Sequence, residues 1–287
     1  MAIYSSSGAE LLTVYDSGGV QLPTAYNASG EEVFPANPYL RIMTYNVQRW
    51  RWGNAIKATQ DEAFANNADI VGIQEWGYSS GITIEGQNCV DYIASKGYPY
   101  ISITSLDVNH KAVASKYQMT NFTETVFSVS RETRSYTKAY FIYKGVQIAF
   151  FNAHLDYAKN DAYKFQQAAE LLAAVGNEDY FILTGDFNTT CSDKSETEYQ
   201  SIVQPFVDAG YNVANSPDGE DLIMTYFEGN TVEEATSIRP TDNIITSPNI
   251  RFVNVFTDDY KLHHDSGYVI DHIPLIADLE LTENEVT

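Results

Sequence analysis

Six times along this chain an apolar run that reads as a buried strand ends in an acid, an amide or a histidine. Asn46 closes the run in "MTYNVQ", Glu75 ends "VGIQEW", and His154 with Asp156 closes "FFNAHLD". Asp186 and Asn188 follow in "FILTGDFN", Asp242 stands in "RPTDNIIT", and Asp271 with His272 precedes "IPL". Strands buried on both faces read as continuous apolar runs, so their polar ends open at a sheet edge. Singly, each has an ordinary explanation. Gly185 and Asn188 suit a turn, Asn46 suits a cap, Glu75 a solvated strand end, and Asp271 a turn before Pro274. Six together point to strand ends gathered around a site.

From Tyr39 onward, strand and helix patterns alternate. "YLRIMTYNV" and "DIVGIQEW" read as strands on either side of the helical "NAIKATQDEAFANNA". "CVDYIASKGY" fits a short helix, and "YISITS", "KAVASKY" and "NFTETVFSV" read as further strands. "TKAYFIYKG" and "VQIAFFNAHLD" form a hairpin through a Lys-Gly turn. "DAYKFQQAAELLAAVG" has helical spacing and a Gly stop, and "TEYQSIVQPFVDAG" reads as another helix. Strands near "RPTDNIITS", "RFVNVFT" and "DHIPLIADLEL" complete the chain. Hairpins and isolated strands among helices predict a mixed-sheet α/β layered fold, not a purely parallel one.

The first 37 residues differ. "IYSSSGAELLT", "VYDSGGVQLPT" and "AYNASGEEVFP" align at a period of eleven, with Tyr4, Tyr15 and Tyr26 in register and no Lys or Arg before Arg41. Each unit reads as a short strand, a Gly-containing turn and a short strand. We expect a small β-rich appendage of three repeats over 1–37, joined through "PANP" to a catalytic domain over 38–287. The appendage reads as an attachment or assembly module, for a homo-oligomer or another partner.

The formal charge is -21, with 17 Lys and Arg against 38 acids. A passive binder of polyanions needs a basic face, so this balance argues against one. It leaves room for an enzyme that holds a phosphate through metal ions. Mean hydropathy is -0.27, and no run approaches the length of a membrane span. The start lacks both a basic segment and a continuous apolar core, so no secretory leader is expected. The expected location is the cytoplasm of the producing cell, in a free or phage-associated form. Cys89 and Cys191 make neither a disulfide framework nor a zinc cluster, and two free thiols are expected.

Glu75, Asp186, Asp242 and Asp271 offer hard oxygen ligands with no cysteine in motif, which suits Mg²⁺, Mn²⁺ or Ca²⁺ better than zinc. Two histidines can donate to an anion or shuttle a proton. Together these describe metal-assisted hydrolysis of a phosphate ester. No P-loop occurs.

The ordered blocks "TYNVQ", "IVGIQEW", "NAHLDY", "GDFN", "TDNI" and "DHIPL" resemble those of the endonuclease/exonuclease/phosphatase superfamily, the DNase I-like fold, over about residues 38–282. The resemblance implies a four-layer α/β (α+β type) sandwich: two mixed β-sheets flanked by helices, with the site at one sheet edge. It implies that Glu75 is the principal metal ligand, with Asn46 and Asp271 completing or orienting the metal site. Asp186 would accept a proton from the attacking water, or from the group it activates, and Asn188 would position the phosphate. His154 and His272 would bond the phosphoryl oxygens, with Asp242 orienting His272.

Many relatives carry Gly-Asn where this chain has His110 and Lys111, and Lys111 is expected to contact substrate. Secreted DNase-type relatives pair a cysteine after "GDFN" with one before "TDNI", and here Cys191 has no such partner. The Trp-Cys-Asp-Arg signature of inositol polyphosphate phosphatases is replaced by "RPTDNIITSPN". The leading expectation is a metal-dependent phosphodiesterase or nuclease acting on nucleic acid. A phosphatase or lipid phosphodiesterase, and a non-catalytic phage-associated structural or binding protein, are the alternatives. In "NVQRWRWGN", Arg49 and Arg51 alternate with Trp50 and Trp52. They would meet phosphates and a base from a rim loop, unless a short strand buries both tryptophans. Arg131, Arg134 and Lys138 join Lys111 in the one relatively basic region.

Overall fold

The computed structural model describes backbone strands at 3–4, 10–15, 21–26 and 32–33, and then residues 38–51, 53–77, 82–191, 193–215, 222–228, 237–257 and 271–282. The chain divides into two compact units, Met1–Leu40 and Arg41–Thr287. In the first, four strands pair in chain order, antiparallel throughout. Their register repeats with the sequence: Tyr4 opposes Glu10, Tyr15 opposes Gln21 and Tyr26 opposes Glu32. The repeat glycines Gly8, Gly19 and Gly30, and the "PANP" joint up to residue 37, lie outside the described residues.

The second unit is a sandwich of two six-stranded sheets. Its twelve strands are, in chain order, β1 Leu40–Asn46, β2 Ile70–Gln74, β3 Tyr100–Ile103, β4 Lys111–Ser115, β5 Thr120–Val126 and β6 Ser135–Tyr143. Then come β7 Val146–His154, β8 Phe181–Asp186, β9 Asn212–Val213, β10 Asp242–Thr246, β11 Ile250–Thr257 and β12 Leu275–Leu281. The sheet orders are β11-β12-β1-β2-β4-β3 and β5-β6-β7-β8-β10-β9. Among the pairings whose direction is described, β1 with β2 and β7 with β8 are parallel and the others antiparallel.

Each parallel pair needs a crossover, and a helix supplies it: α1 Lys57–Ala65 between β1 and β2 and, after the short α2 Cys89–Ser95, α3 Ala162–Val175 between β7 and β8. Asp161 caps α3, its carboxylate accepting the Tyr163 N–H at 3.0 Å. The Lys144-Gly145 turn between β6 and β7 has φ of 49° and 81°, the left-handed pair a two-residue hairpin demands. The helix expected over "TEYQSIVQPFVDAG" is instead two, Thr197–Ile202 and Gln204–Asp208. Pro205 has no N–H to donate back, so it starts a helix and does not continue one.

Why the strand ends meet follows from the topology. Parallel β1 and β2 end together, placing Asn46 beside Gln74 and Glu75. β7 and β8 end with His154 opposite Asp186, and antiparallel β10 begins there, with Asp242 opposite Asp186.

The two sheets approach closely enough to share hydrogen bonds. Asn152 of β7 donates to the Ile73 carbonyl at 2.9 Å and the Ala112 carbonyl at 3.0 Å, and accepts from Gln74 Nε2 at 2.6 Å. Gly72 permits this approach: a Cβ there would stand 2.0 Å from Thr184 Oγ1 and 3.0 Å from Asn152 Oδ1. Both of those side chains are fully buried and bonded. Overpacking such a seam costs about 1–3 kcal/mol, so Gly72→Ala is expected to lower urea-unfolding stability by about 2 kcal/mol or more. An unchanged urea midpoint would show that the sheets can separate without cost.

Candidate active site

An open cleft of about 290 Å³ lies at this shared edge, lined by Asn46, Glu75, His154, Asp186, Asn188, Asp271 and His272 among others. Asp186 stands at its centre and is buried. Its Oδ2 accepts from Asn46 Nδ2 at 3.0 Å, so one bond spans the two sheets. The same oxygen lies 3.5 Å from His154 Nε2 and 3.6 Å from His272 Nε2. Oδ1 accepts the Asn188 N–H at 2.8 Å. Gly185 has a local reason: a Cβ there would meet the Ala153 carbonyl oxygen at 2.6 Å.

Asn188 turns with φ of 50°. Its Nδ2 donates to the Leu155 carbonyl at 3.0 Å, and its own carbonyl accepts from Lys164 Nζ at 2.7 Å. Lys164 is buried against Glu198 at 2.7 Å. Burial draws the Lys164 ammonium down from its ordinary value.

His272 is held by Asp242, whose Oδ2 meets Nδ1 at 2.9 Å and also accepts from Thr241 Oγ1 at 2.9 Å. Backbone bonds from Phe227 to the Asp271 carbonyl (2.8 Å) and from Ile273 to the Thr225 carbonyl (2.9 Å) fix the Asp271-His272 segment. The Tyr226 ring packs edge-on to His272, centroids 5.1 Å apart.

Burial pushes the Asp186 carboxyl up to about 7, with Asp242 adding and His272 opposing. Burial pulls the His272 imidazole down, but Asp242 and Asp186 outweigh it and carry it to about 10. His272 is therefore an imidazolium at neutral pH.

His154 goes the other way. Burial first, then the charge of Arg134, hold it well below its usual value. Arg134 Nη1 lies 2.9 Å from His154 Nδ1, so the ring accepts from the guanidinium. The unfolded chain protonates His154 below pH about 6.5 and the native protein does not, so stability falls as pH falls below that value. The slope contributed is about 1.4 kcal/mol per pH unit at most. Urea unfolding of wild type and His154→Asn at pH 7 and 5.5 checks this. The wild type should lose more stability than the variant, and equal losses would refute it.

Asp271 accepts from Gln48 Nε2 at 2.8 Å through Oδ2. Its Oδ1 is buried with no partner among the described residues. Gln48 also donates its N–H to Asn46 Oδ1 at 2.9 Å, which turns the Asn46 amide toward Asp186. Gln48, Arg49, Trp50 and Glu75 have φ of 47°, 58°, 52° and 51°. Four non-glycine residues in left-handed conformations at one site store local strain, a feature concentrated at functional sites. Asp186, Asp242 and His272 form a candidate cation-binding cluster, with ligand atoms within 4.8 Å of one another.

Two expectations are corrected. Lys111 does not reach substrate: it is fully buried, its Nζ donating to Asp107 Oδ2 at 2.6 Å and Ser135 Oγ at 2.7 Å. Trp50 offers no stacking face, because it is buried against Trp76 and Phe64. The segment is a left-handed turn, neither an open rim loop nor an alternating strand. It exposes Arg49 and Arg51 and turns Trp50 inward; Trp52 lies outside the described residues. Arg49 does line the cleft, its Nε 3.7 Å from Glu75 Oε2 and its Nη2 bonded to Asn109 Oδ1.

Asn109, Arg134, Tyr157 and Tyr226 are cleft residues that the sequence did not assign. Asn109 precedes the His110-Lys111 pair by one place, and Tyr157 ends the "NAHLDY" block. Arg134 was marked only as part of the relatively basic region, and no pattern marks Tyr226. Lys138 pairs with Glu178 and Arg131 with Asp161. Cys89 and Cys191 are free and buried, and burial raises both thiols to about 11. Among the described residues no helix is long and apolar enough to cross a membrane.

Two mixed sheets, with acids, amides and histidines at one shared edge, define a DNase I-like fold. D. rerio TDP2 complexed with single strand DNA product superposes with a TM-score of 0.67 at 15% identity, covering 85% of this chain and 99% of that one. An endonuclease/exonuclease/phosphatase from Beutenbergia cavernae gives 0.64 at 15% identity, over 86% and 73%. One from Bacteroides vulgatus gives 0.61 at 18% identity, over 84% and 98%. No curated protein matches the sequence. The sequence profile of the Endonuclease/Exonuclease/phosphatase family matches residues 43–196. The chain belongs to that family of phosphoester-hydrolysing enzymes, which are generally dependent on divalent metal.

Proposed function

We propose that this enzyme is a divalent-metal-dependent phosphodiesterase that hydrolyses nucleic acid by attack of water on phosphorus. The observation that carries the reading is the convergence of Asn46, Glu75, His154, Asp186, Asn188, Asp271 and His272 on one cleft. The donor set fits a hard cation. Glu75 reaches the cleft with Arg49 as its charged neighbour at 3.7 Å, and Asp271 Oδ1 is buried without a partner among the described residues. Glu75, with Asn46 and Asp271, would hold Mg²⁺ or Mn²⁺, which supplies Lewis-acid neutralisation of phosphate charge.

Asp186, as its carboxylate, accepts the proton of the attacking water. The Asn188 N–H and the Asn46 amide bond that carboxylate and set its direction, while Asn188 faces the cleft beside the incoming phosphate. His272, charged and braced by Asp242, donates to a phosphoryl oxygen as negative charge builds there. Neutral His154, backed by Arg134, offers a second donor from the opposite wall. Residues 1–37 would serve attachment or assembly and take no part in this chemistry.

The test is a panel of single- and double-stranded DNA and RNA, a dinucleotide, a phosphomonoester and a phospholipid, with Mg²⁺ or Mn²⁺. It is run on the full chain and on one beginning at Pro38. Hydrolysis of the nucleic acids by both chains is expected. Turnover of the phospholipid or monoester alone would replace the nuclease reading, and an inactive shortened chain would place the repeats in the catalytic machinery.

A further inference from the structure

The aromatic face that the Trp50 segment does not supply stands on another wall of the cleft. The backbone after His154 is clamped from inside. Buried Asp156 takes bonds from Gln167 Nε2 and the Arg131 N–H, both at 2.9 Å, while its own N–H donates to Gln167 Oε1 at 2.9 Å. The next residue, Tyr157, is turned outward at the cleft rim and is 57% exposed. Arg131 lies beside it. Its Nε bonds Asp161, the cap of α3, and its guanidinium lies 5.9 Å from the centroid of the Tyr163 ring, itself 44% exposed. Asp161 first, and more weakly Tyr157 and Asp156, act on the Arg131 charge.

The rim therefore presents the Tyr157 phenol ring, and the surface beside it carries the Arg131 guanidinium, whose charge is already answered by Asp161, and the Tyr163 ring. It is poorly suited to gripping phosphates and well suited to covering a flat π-system. The chain's charge of -21 points the same way. A long polyanion gains little from long-range attraction here, so its grip must come from short-range contact. A duplex turns its base faces inward and offers this rim only its backbone. An unpaired base offers a face. We infer that Tyr157, flanked by Arg131 and Tyr163, stacks an unpaired nucleobase next to the scissile phosphate, so that the cleft selects single-stranded over duplex nucleic acid. The inference rests on the phosphodiesterase reading above and names its substrate class.

The experiment compares wild type, Tyr157→Phe and Tyr157→Ala on three substrates in Mn²⁺. These are a short mixed-sequence DNA strand, the same strand annealed to its complement, and a strand of equal length with abasic residues. Base–aromatic stacking is worth roughly tenfold in affinity. Wild type should therefore cleave the intact strand about tenfold more efficiently than the other two, with the difference in KM. Tyr157→Phe keeps the ring and should keep the preference. Tyr157→Ala should bring the intact strand to the abasic level. A preference that survives Tyr157→Ala overturns the inference, as does wild-type indifference between intact and abasic strands. Hydrolysis of a phospholipid or monoester but of no DNA sinks the inference and leaves a phosphohydrolase standing. Hydrolysis of no ester at all sinks both.

Discussion

Asp186→Asn is expected to lower kcat by about 10³-fold, within the 10²–10⁴ range a positioned general base supplies. The substitution is nearly isosteric, and the site punishes it chemically more than sterically. Both oxygens of Asp186 accept, one from Asn46 Nδ2 and one from the Asn188 N–H. An amide therefore sets its own NH₂ against a donor on one side, a cost of about 1–2 kcal/mol. Part of that cost is returned, because burial already disfavours the charged carboxylate. The thermal midpoint should move by a few degrees while turnover collapses. Substrate and cation affinities should stay close to wild type, since Glu75 and Asp271 are untouched. Single-turnover kinetics with calorimetric Mn²⁺ binding separates the two quantities. Near-wild-type turnover would remove Asp186 from the proton-accepting role.

Glu75→Gln is expected to give the opposite pattern. Apparent Mn²⁺ affinity should fall by about 10-fold or more, and raising the cation concentration should restore much of the rate. Excess chelator should abolish wild-type activity, and Mg²⁺ or Mn²⁺ should bring it back. The contrast is informative because both carboxylates reach one cleft with different neighbours. Glu75 has Arg49 at 3.7 Å, whereas Asp186 lies between two histidines. If Asp186→Asn is the variant rescued by cation, the two roles are exchanged and the cation lies with Asp186, Asp242 and His272. Full wild-type activity in excess chelator would end the metal reading.

Much of the site was legible in the sequence because strand burial and strand ends leave local marks. An apolar run broken by an acid or amide says where a strand stops, and mixed sheets with parallel pairs bring several such stops to one edge. Asn46, Glu75, His154, Asp186 and Asp271 were singled out in this way, and all five line one cleft. Lys111 was misplaced because a lysine opening a strand looks the same whether it faces solvent or an inward carboxylate. Here Asp107 and Ser135 draw it inside. Trp50 was misplaced because it was read into an open rim loop: three successive left-handed residues turn it into the core and leave Arg49 and Arg51 exposed, the burial an alternating strand would have given, reached by a turn.

What the sequence by itself determined is therefore the order and ends of the strands, the oxygen-rich donor set, the eleven-residue repeat and the family. Each is written in neighbouring residues, through periodicity, turn chemistry and charge. Which groups act on one another was decided only by tertiary structure. Asn46 reaches Asp186 across 140 positions and Gln48 reaches Asp271 across 223. Burial first, and then the charge of Arg134, hold the His154 pKa down, while Asp242 and Asp186 overcome burial and raise that of His272. Two histidines that read alike in the chain differ in charge because burial magnifies whichever ion lies closest, and only packing determines which ion that is.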